Sequence, residues 1–130
     1  MLTLAPTVRI YVALDPVDMR KSHHGLAAVV RLLGLDPLSG HLVFFTNKRR
    51  NLAKILFFDR SGLAILYKRL EEGTFQLPDA DDGRTQAEID PASLAMILEG
   101  IDLRSIVRRK RYRRPTKPPE DPSVPPISFA

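Results

Sequence analysis

The first apolar patterns along the chain predict a strand followed by an amphipathic helix. The segment Thr7–Leu14 is rich in β-branched and aromatic residues, which favours a strand, and the turn residues Asp15-Pro16 end it. Apolar residues then recur at the i, i+3, i+4, i+7 spacing of one helical face: Leu26, Val29, Val30 and Leu33. We expect this helix to be capped near Asp18 and to end at Gly34, because glycine readily adopts the left-handed conformation that follows a helix.

Three further strand-like runs follow, and their polar connections are short. The runs are His41–Thr46, Leu52–Asp59 and Leu63–Leu70. The connecting segments Asn47–Asn51 and Arg60–Gly62 have the length of hairpin loops, so the three strands are predicted to form an antiparallel meander. We expect the side chains of Phe44, Phe57 and Leu66 to face the helices.

The final predicted element is a second helix with clear signals at both ends. Asp90 is a suitable N-cap, Pro91 occupies the first helical position, and Gly100 is a candidate terminator. Its apolar face has helical spacing: Leu94, Ile97, Leu98 and Ile101. The order strand, helix, three strands, helix predicts an α+β fold, an antiparallel sheet of about four strands with two helices covering one face. This single domain is expected to span residues 1–103.

The composition fits one small cytoplasmic domain. With 130 residues, 44% of them hydrophobic, the chain can bury one core but hardly two. The absence of cysteine excludes disulfides and thiolate zinc sites, as is usual in the cytoplasm. The longest apolar runs are far shorter than a membrane span, so neither a membrane-spanning segment nor a membrane partner is expected.

The net charge of +5 is concentrated in the C-terminal segment. Residues 1–103 contain 12 Lys and Arg against 13 Asp and Glu, whereas residues 104–130 contain 8 against 2. We predict that residues 104–130 form a basic, then proline-rich, disordered tail, although its basic part could instead continue the last helix as far as Pro115. The segment after Lys117 buries too little apolar surface to offset its ordering entropy. A basic arm favours DNA as its partner over a merely solubilising role. The tail residues expected to contact phosphates are Arg108, Arg109, Lys110, Arg111, Arg113 and Arg114.

Two basic groups within the domain are further candidates for DNA contacts. One falls in the first turn of the predicted first helix, where backbone N–H groups attract phosphate, although a salt bridge to the sheet explains it equally well. The other is the tip of the loop Asn47–Asn51 with the strand that follows it. Basic hairpins reach DNA backbones and grooves, while polar hairpin tips are also ordinary surface features. The group in the helical turn consists of Arg20 and Lys21. The group at the loop and the following strand consists of Lys48, Arg49, Arg50 and Lys54.

The acidic and histidine residues favour a non-catalytic protein without a metal or other cofactor. The aspartates are scattered, and Asp15, Asp36 and Asp59 are explained by turn and cap chemistry. His23 and His24 are adjacent and point about 100° apart on a helix, which prevents the pair from chelating a metal. No glycine-rich loop precedes a helix to bind phosphates.

Four segments occur in an order that resembles a known family. They are Asp18–Val30, Leu33–Phe45, Lys54–Phe75 and Leu94–Asp102, and the blocks DPLSGHLVFF and YKRLEEG within them are the most specific. Together they are similar to the TnpB-type accessory proteins that the second open reading frame of bacterial insertion sequences of family sixty-six encodes. The resemblance covers residues 7–102 and does not include the tail.

The resemblance implies a small accessory factor that acts beside a separate transposase of the same element. It implies no catalytic residues. The chain departs from the family pattern at Phe57-Phe58, where two tryptophans are common, and at His23-His24, where Phe-Asp is common. We therefore expect a non-catalytic transposition factor that binds DNA in support of the transposase. The alternative is a protein–protein adaptor that docks on the transposase through its sheet or its acidic loop Asp79–Gly83.

Overall fold

Within the residues that the structure describes, a mixed five-stranded sheet carries one helix on each face. The computed structural model describes residues 7–79 and 82–101, so the basic tail lies outside the described residues. The elements are β1 (Ile10–Ala13), α1 (His23–Leu32), β2 (Leu42–Thr46), β3 (Leu52–Phe58), β4 (Leu63–Arg69), β5 (Gln86–Ile89) and α2 (Pro91–Leu98). The strand order across the sheet is β4-β3-β2-β1-β5. The predicted α+β class is confirmed.

The sheet combines the predicted meander with two strand pairings that were not predicted. Strands β2, β3 and β4 pair antiparallel as expected. β1 runs parallel to β2, with Val12 opposite Phe44, because α1 carries the chain back between them. β5 pairs antiparallel with the other side of β1, where Ala87 lies opposite Val12. The expected antiparallel sheet of about four strands is therefore corrected to a mixed sheet of five among the described residues.

The central strands bury side chains on both faces of the sheet. All five residues of β2 are buried, and the first four are apolar: Leu42, Val43, Phe44 and Phe45. The first and third pack in one core cluster with Leu94 and Ile97 of α2, and the second and fourth pack in another with Leu26 of α1. The expectation that both helices cover one face is wrong, because consecutive apolar residues in a central strand need cover on both sides.

The outer strand β4 is less buried than predicted. Phe44 is fully buried, and Phe57 is partly buried against the same cluster. Leu66, which was expected to face the helices with them, is 42% exposed. A strand at the edge of the sheet has a neighbouring strand on one side only, so its side chains have fewer contacts.

The ends of the helices follow the local signals in three cases out of four. Asp90 caps α2, since its Oδ1 accepts a hydrogen bond from Ser93 N at 2.7 Å. Gly34 and Gly100 have φ values of 81° and 75°. In both places the N–H groups of the glycine and of the residue after it donate to carbonyls in the last turn of the helix. No helix within residues 7–79 and 82–101 is long and apolar enough to cross a membrane.

The fourth end, the N-terminus of α1, lies later than predicted. The helix begins at His23, and Ser22 occupies the N-cap position without a side-chain capping bond. The predicted cap near Asp18 is wrong because its carboxylate is bound to Arg20 instead. Arg20 and Lys21 consequently lie in the loop before the helix rather than in its first turn.

Candidate nucleic-acid interface

The loop between β2 and β3 presents three cations on a well-defined turn. Lys48–Arg50 are exposed, and Arg50 has a positive φ of 56°, which is uncommon for a residue with a side chain. Asn47 Oδ1 accepts hydrogen bonds from the backbone N–H groups of Asn51 and Leu52, each at 3.1 Å. Asn47 Nδ2 also donates to Asn51 Oδ1 at 2.7 Å. These bonds hold the tip in one backbone conformation with its cationic side chains in solvent.

A second segment fastens this tip to the core. After β4, Leu70 N donates to Asn51 O at 2.9 Å, and Phe75 N donates to Arg50 O at 2.7 Å. Phe75 is fully buried, and its ring packs edge-on against Phe44 with the centroids 5.6 Å apart. The backbone of Arg50, the last cation of the tip, is therefore hydrogen-bonded to Phe75, which belongs to the core on the α2 side of the sheet.

Lys54 brings the loop before α1 to the same end of the sheet. Val17 N donates to Thr46 O at the end of β2, at 2.9 Å. Lys54 Nζ then donates to Met19 O at 2.7 Å and to Lys21 O at 2.8 Å. Lys54 is only 8% exposed, so its predicted role as a phosphate contact is corrected. A buried ammonium requires hydrogen-bond acceptors, and here two backbone carbonyls supply them.

Arg20 is exposed but shares its charge with a neighbouring carboxylate. Its Nε donates to both oxygens of Asp18, at 3.1 and 3.0 Å, and its Nη2 donates to Oδ2 at 2.7 Å. This bond from the guanidinium, with a second from the backbone N–H of Arg20, lowers the pKa of Asp18 to about 2. The side chain of Arg20 is still 91% exposed, because the pair lies on the surface. The salt bridge is thus local to the loop and does not reach the sheet.

The C-terminus of α2 also lies at this end of the sheet. Lys68 Nζ, near the end of β4, donates to Leu98 O at 2.8 Å. Gly100 lies beside Leu70 and Thr74, which belong to the segment that fastens the hairpin tip. The chain therefore leaves the described region close to the tip. The predicted tail contacts lie outside the described residues: Arg108, Arg109, Lys110, Arg111, Arg113 and Arg114.

The hydrogen bonds described above gather most of the predicted domain cations at one end of the sheet. We call the surface formed by Arg20, Lys21, Lys48, Arg49 and Arg50 the basic end. Acidic groups are present beside it: Asp18 is bound to Arg20, and Glu71 lies 3.4 Å from Arg69. The attraction of this surface for anions thus depends on the exposed tip more than on the net charge of the domain.

An aromatic side chain adjoins the basic end on the outer strand. Tyr67 is 54% exposed, and Lys54 Nζ lies 4.9 Å from the centroid of its ring. The ring lines an open depression of about 500 Å³ together with Asn51, Leu52 and Arg69. Sequence reasoning missed Tyr67 as a functional candidate, and it missed the two asparagines that bracket the basic tip. Asparagine at both ends of a short loop is a turn signal that would have identified the second feature.

Two of the three histidines make polar contacts within the domain. His23 Nδ1 lies 3.0 Å from Ser22 Oγ, and His41 Nδ1 accepts a hydrogen bond from Arg9 N at 2.9 Å. Across the described residues, no three His, Asp or Glu side chains are placed to hold a metal ion. The chemistry that the basic end offers is the binding of anions by exposed cations.

Comparisons with known proteins place the chain in a family. A family model described as "IS66 Orf2 like protein" matches residues 8–108. Two proteins of Sinorhizobium fredii, both named as uncharacterized, are each 36% identical to this chain. The alignment with y4jC covers 85% of this chain and 92% of the relative, and the alignment with y4hO covers 90% and 98%. No solved structure matches the chain. Since the matched region contains every described strand and helix, the chain belongs to the IS66 Orf2-like family, the accessory proteins of an insertion sequence.

Proposed function

We propose that this protein assists the transposase of its element without catalysing a reaction, by binding DNA phosphates through the basic end and the basic tail. The observation that carries the proposal is the hairpin tip, whose three exposed cations stand on a turn held by Asn47 and Asn51. A preordered tip loses little backbone entropy on binding, so its cations contribute more affinity than the same residues in a mobile loop.

The position of the tail supports the same function. The described chain ends at Ile101 near the basic end, and a covalent chain extends by at most about 3.6 Å per residue. Arg108, the first of the predicted tail contacts, follows seven residues later and can extend no farther than about 25 Å from Ile101. Tip and tail can engage one stretch of DNA backbone, and such contacts carry little base specificity because every nucleotide has the same phosphate.

The experiment measures duplex affinity as a function of salt concentration by fluorescence anisotropy, with the full chain. The test variant replaces Lys48, Arg49 and Arg50 with Ala. The control variant replaces Arg9, Arg31 and Arg60 with Ala, which removes the same charge from other parts of the surface. The two are matched in backbone as well, because Arg60, like Arg50, has a positive φ.

The test variant should reduce the slope of log K against log salt by about 2.7, the contribution of three phosphate contacts. The control variant should leave the slope almost unchanged. Equal losses in both variants would mean that binding follows overall charge and not the tip. A parent protein that does not bind duplex DNA at low salt would refute the proposal.

One observation favours the adaptor as a second candidate function. Leu32 on α1 is 86% exposed, which is unusual for a large apolar side chain on a helix. A pull-down of the transposase from nuclease-treated extract tests this function. Retention that survives nuclease and is lost with Leu32→Ser supports docking through α1, whereas loss on nuclease treatment alone supports binding through DNA.

A further inference from the structure

The outer strand β4 presents one face of an aromatic ring to solvent. Tyr67 is about half exposed, while Lys54, whose ammonium lies 4.9 Å from the ring centroid, is buried. The ammonium thus approaches the ring from a buried position, while more than half of Tyr67 is exposed to solvent. The ammonium itself is held in place, because its Nζ donates to Met19 O and Lys21 O.

The surroundings of the ring suit a nucleotide. The depression beside it has a volume of about 500 Å³, within the range of small-ligand sites, and its lining combines an aromatic ring, an amide and a guanidinium. Asn51 belongs both to this lining and to the tip loop, so the depression borders the basic end. Arg69 adds a cation at the rim; its side chain is 67% exposed, although Nη2 lies 3.4 Å from Glu71 Oε1.

We propose that this depression binds one unpaired nucleobase, stacked on Tyr67, at an overhang, gap or single-stranded stretch of DNA. The inference rests on the proposed function, since the basic end would hold the flanking phosphates. A base offers its π face only when it is not stacked within a duplex, and aromatic side chains bind such bases with little regard for sequence. Stacking on Tyr67 would thus direct a charge-driven binder to DNA that has been opened or cut.

The test compares two DNA probes of the same duplex length, one blunt and one with a short single-stranded overhang. The proteins are the parent chain, Tyr67→Ala, and the matched control Tyr67→Phe, which keeps the ring and removes only the hydroxyl. Thermal melts verify that the variants are folded, as expected for an exposed side chain. A 2-aminopurine base in the overhang reports stacking directly through quenching of its fluorescence.

Tyr67→Ala should weaken overhang binding by about 5- to 150-fold, the effect of one lost base–aromatic stack, and leave blunt-duplex binding unchanged. Tyr67→Phe should bind both probes like the parent and should still quench 2-aminopurine. Unchanged overhang binding in Tyr67→Ala, or an equal loss on both probes, would overturn this inference and leave the duplex-binding proposal standing. A parent that binds neither probe would overturn both.

Discussion

Replacing Lys54 with Met tests whether the buried ammonium organises the basic end. Methionine keeps the aliphatic length of the side chain while removing its charge and its hydrogen bonds. The carbonyls of Met19 and Lys21, which accept from Nζ at 2.7 and 2.8 Å, would lose their partner. The ring of Tyr67 would lose the cation that lies 4.9 Å from its centroid.

The expected loss follows from the number of contacts. Hydrogen bonds from a charged donor contribute about 1.5–3 kcal/mol each, and a partly desolvated cation–π contact about 1 kcal/mol. Two terms oppose this loss: the buried ammonium no longer has to be desolvated, and water can reach carbonyls in a surface loop. We therefore expect the free energy of unfolding to fall by about 2–3 kcal/mol, well below the gross sum.

Lys68→Met is the matched control, because Lys68 donates a single hydrogen bond to a backbone carbonyl, Leu98 O, at 2.8 Å. It should lower the free energy of unfolding by about 1 kcal/mol. Urea titration followed by circular dichroism measures both, and the Tm should fall by about 4–8 °C per kcal/mol. If Lys54→Met lowers the free energy of unfolding no more than Lys68→Met does, the two hydrogen bonds from Lys54 to the loop do not stabilise the domain. In that case the placement of Arg20 and Lys21 needs another cause.

Four further predictions concern the core, the tip, the loop and the tail. Phe75→Ala should cost about 3–5 kcal/mol because this ring is fully buried, and a melt within a few degrees of the parent would contradict its place in the core. Asn47→Ala should cost about 1–3 kcal/mol and weaken duplex binding without changing any charge; unchanged affinity would mean that the order of the tip is irrelevant to binding. Asp18 should titrate near pH 2 in carboxyl NMR spectra rather than at its ordinary value of 3.8, so the stability it contributes is present above pH 3.8 and lost as the pH falls through about 2. Arg20→Gln should return that titration toward 3.8, and an unmoved midpoint would exclude the guanidinium as the cause. Truncation after Asp102 should reduce the salt slope of duplex binding by about 5, for six phosphate contacts, while the melting curve of the domain stays the same; an unchanged slope would remove the tail from the binding surface.

Most elements with strong local signals were predicted correctly, and the errors concern the cap of α1, the short strand β5, the burial of Leu66 and the tertiary arrangement of strands and helices. α2 combines a capping aspartate, a proline at its first position and a terminal glycine, each of which acts on the backbone next to it. β5 has four residues, too few for its alternation to stand out in the sequence. The parallel pairing of β1 and β2 follows from the helix between them, because a crossover of this length returns the chain in the same direction. The cover on both faces was also indicated, by the unbroken apolar run of β2.

Of the candidate site, the basic tip was predicted and the role of Lys54 was not. The cations of a hairpin loop are exposed once the hairpin forms, so predicting the tip requires only the local sequence. Lys54 stands within the apolar run LAKILFF, in a strand with neighbours on both sides. A lysine in such a strand is buried and must find acceptors, but which acceptors it finds depends on the path of a loop more than thirty residues away. That path is tertiary information.

The proposed binding surface joins an ordered part and a tail on one chain, and this arrangement affects how their contributions combine. Residues 1–103 carry 12 cations against 13 acids, so the domain alone has no net attraction for DNA at long range. In the proposed function the tail, with 8 cations against 2 acids, would supply that attraction and steer the encounter. Once the tail had bound, the tip would meet the same DNA at a high effective concentration, because both belong to one chain. The contributions of tip and tail to the salt slope should then add, because the slope is proportional to the number of phosphates neutralised. Their binding free energies should not add, because tethering makes the second contact intramolecular.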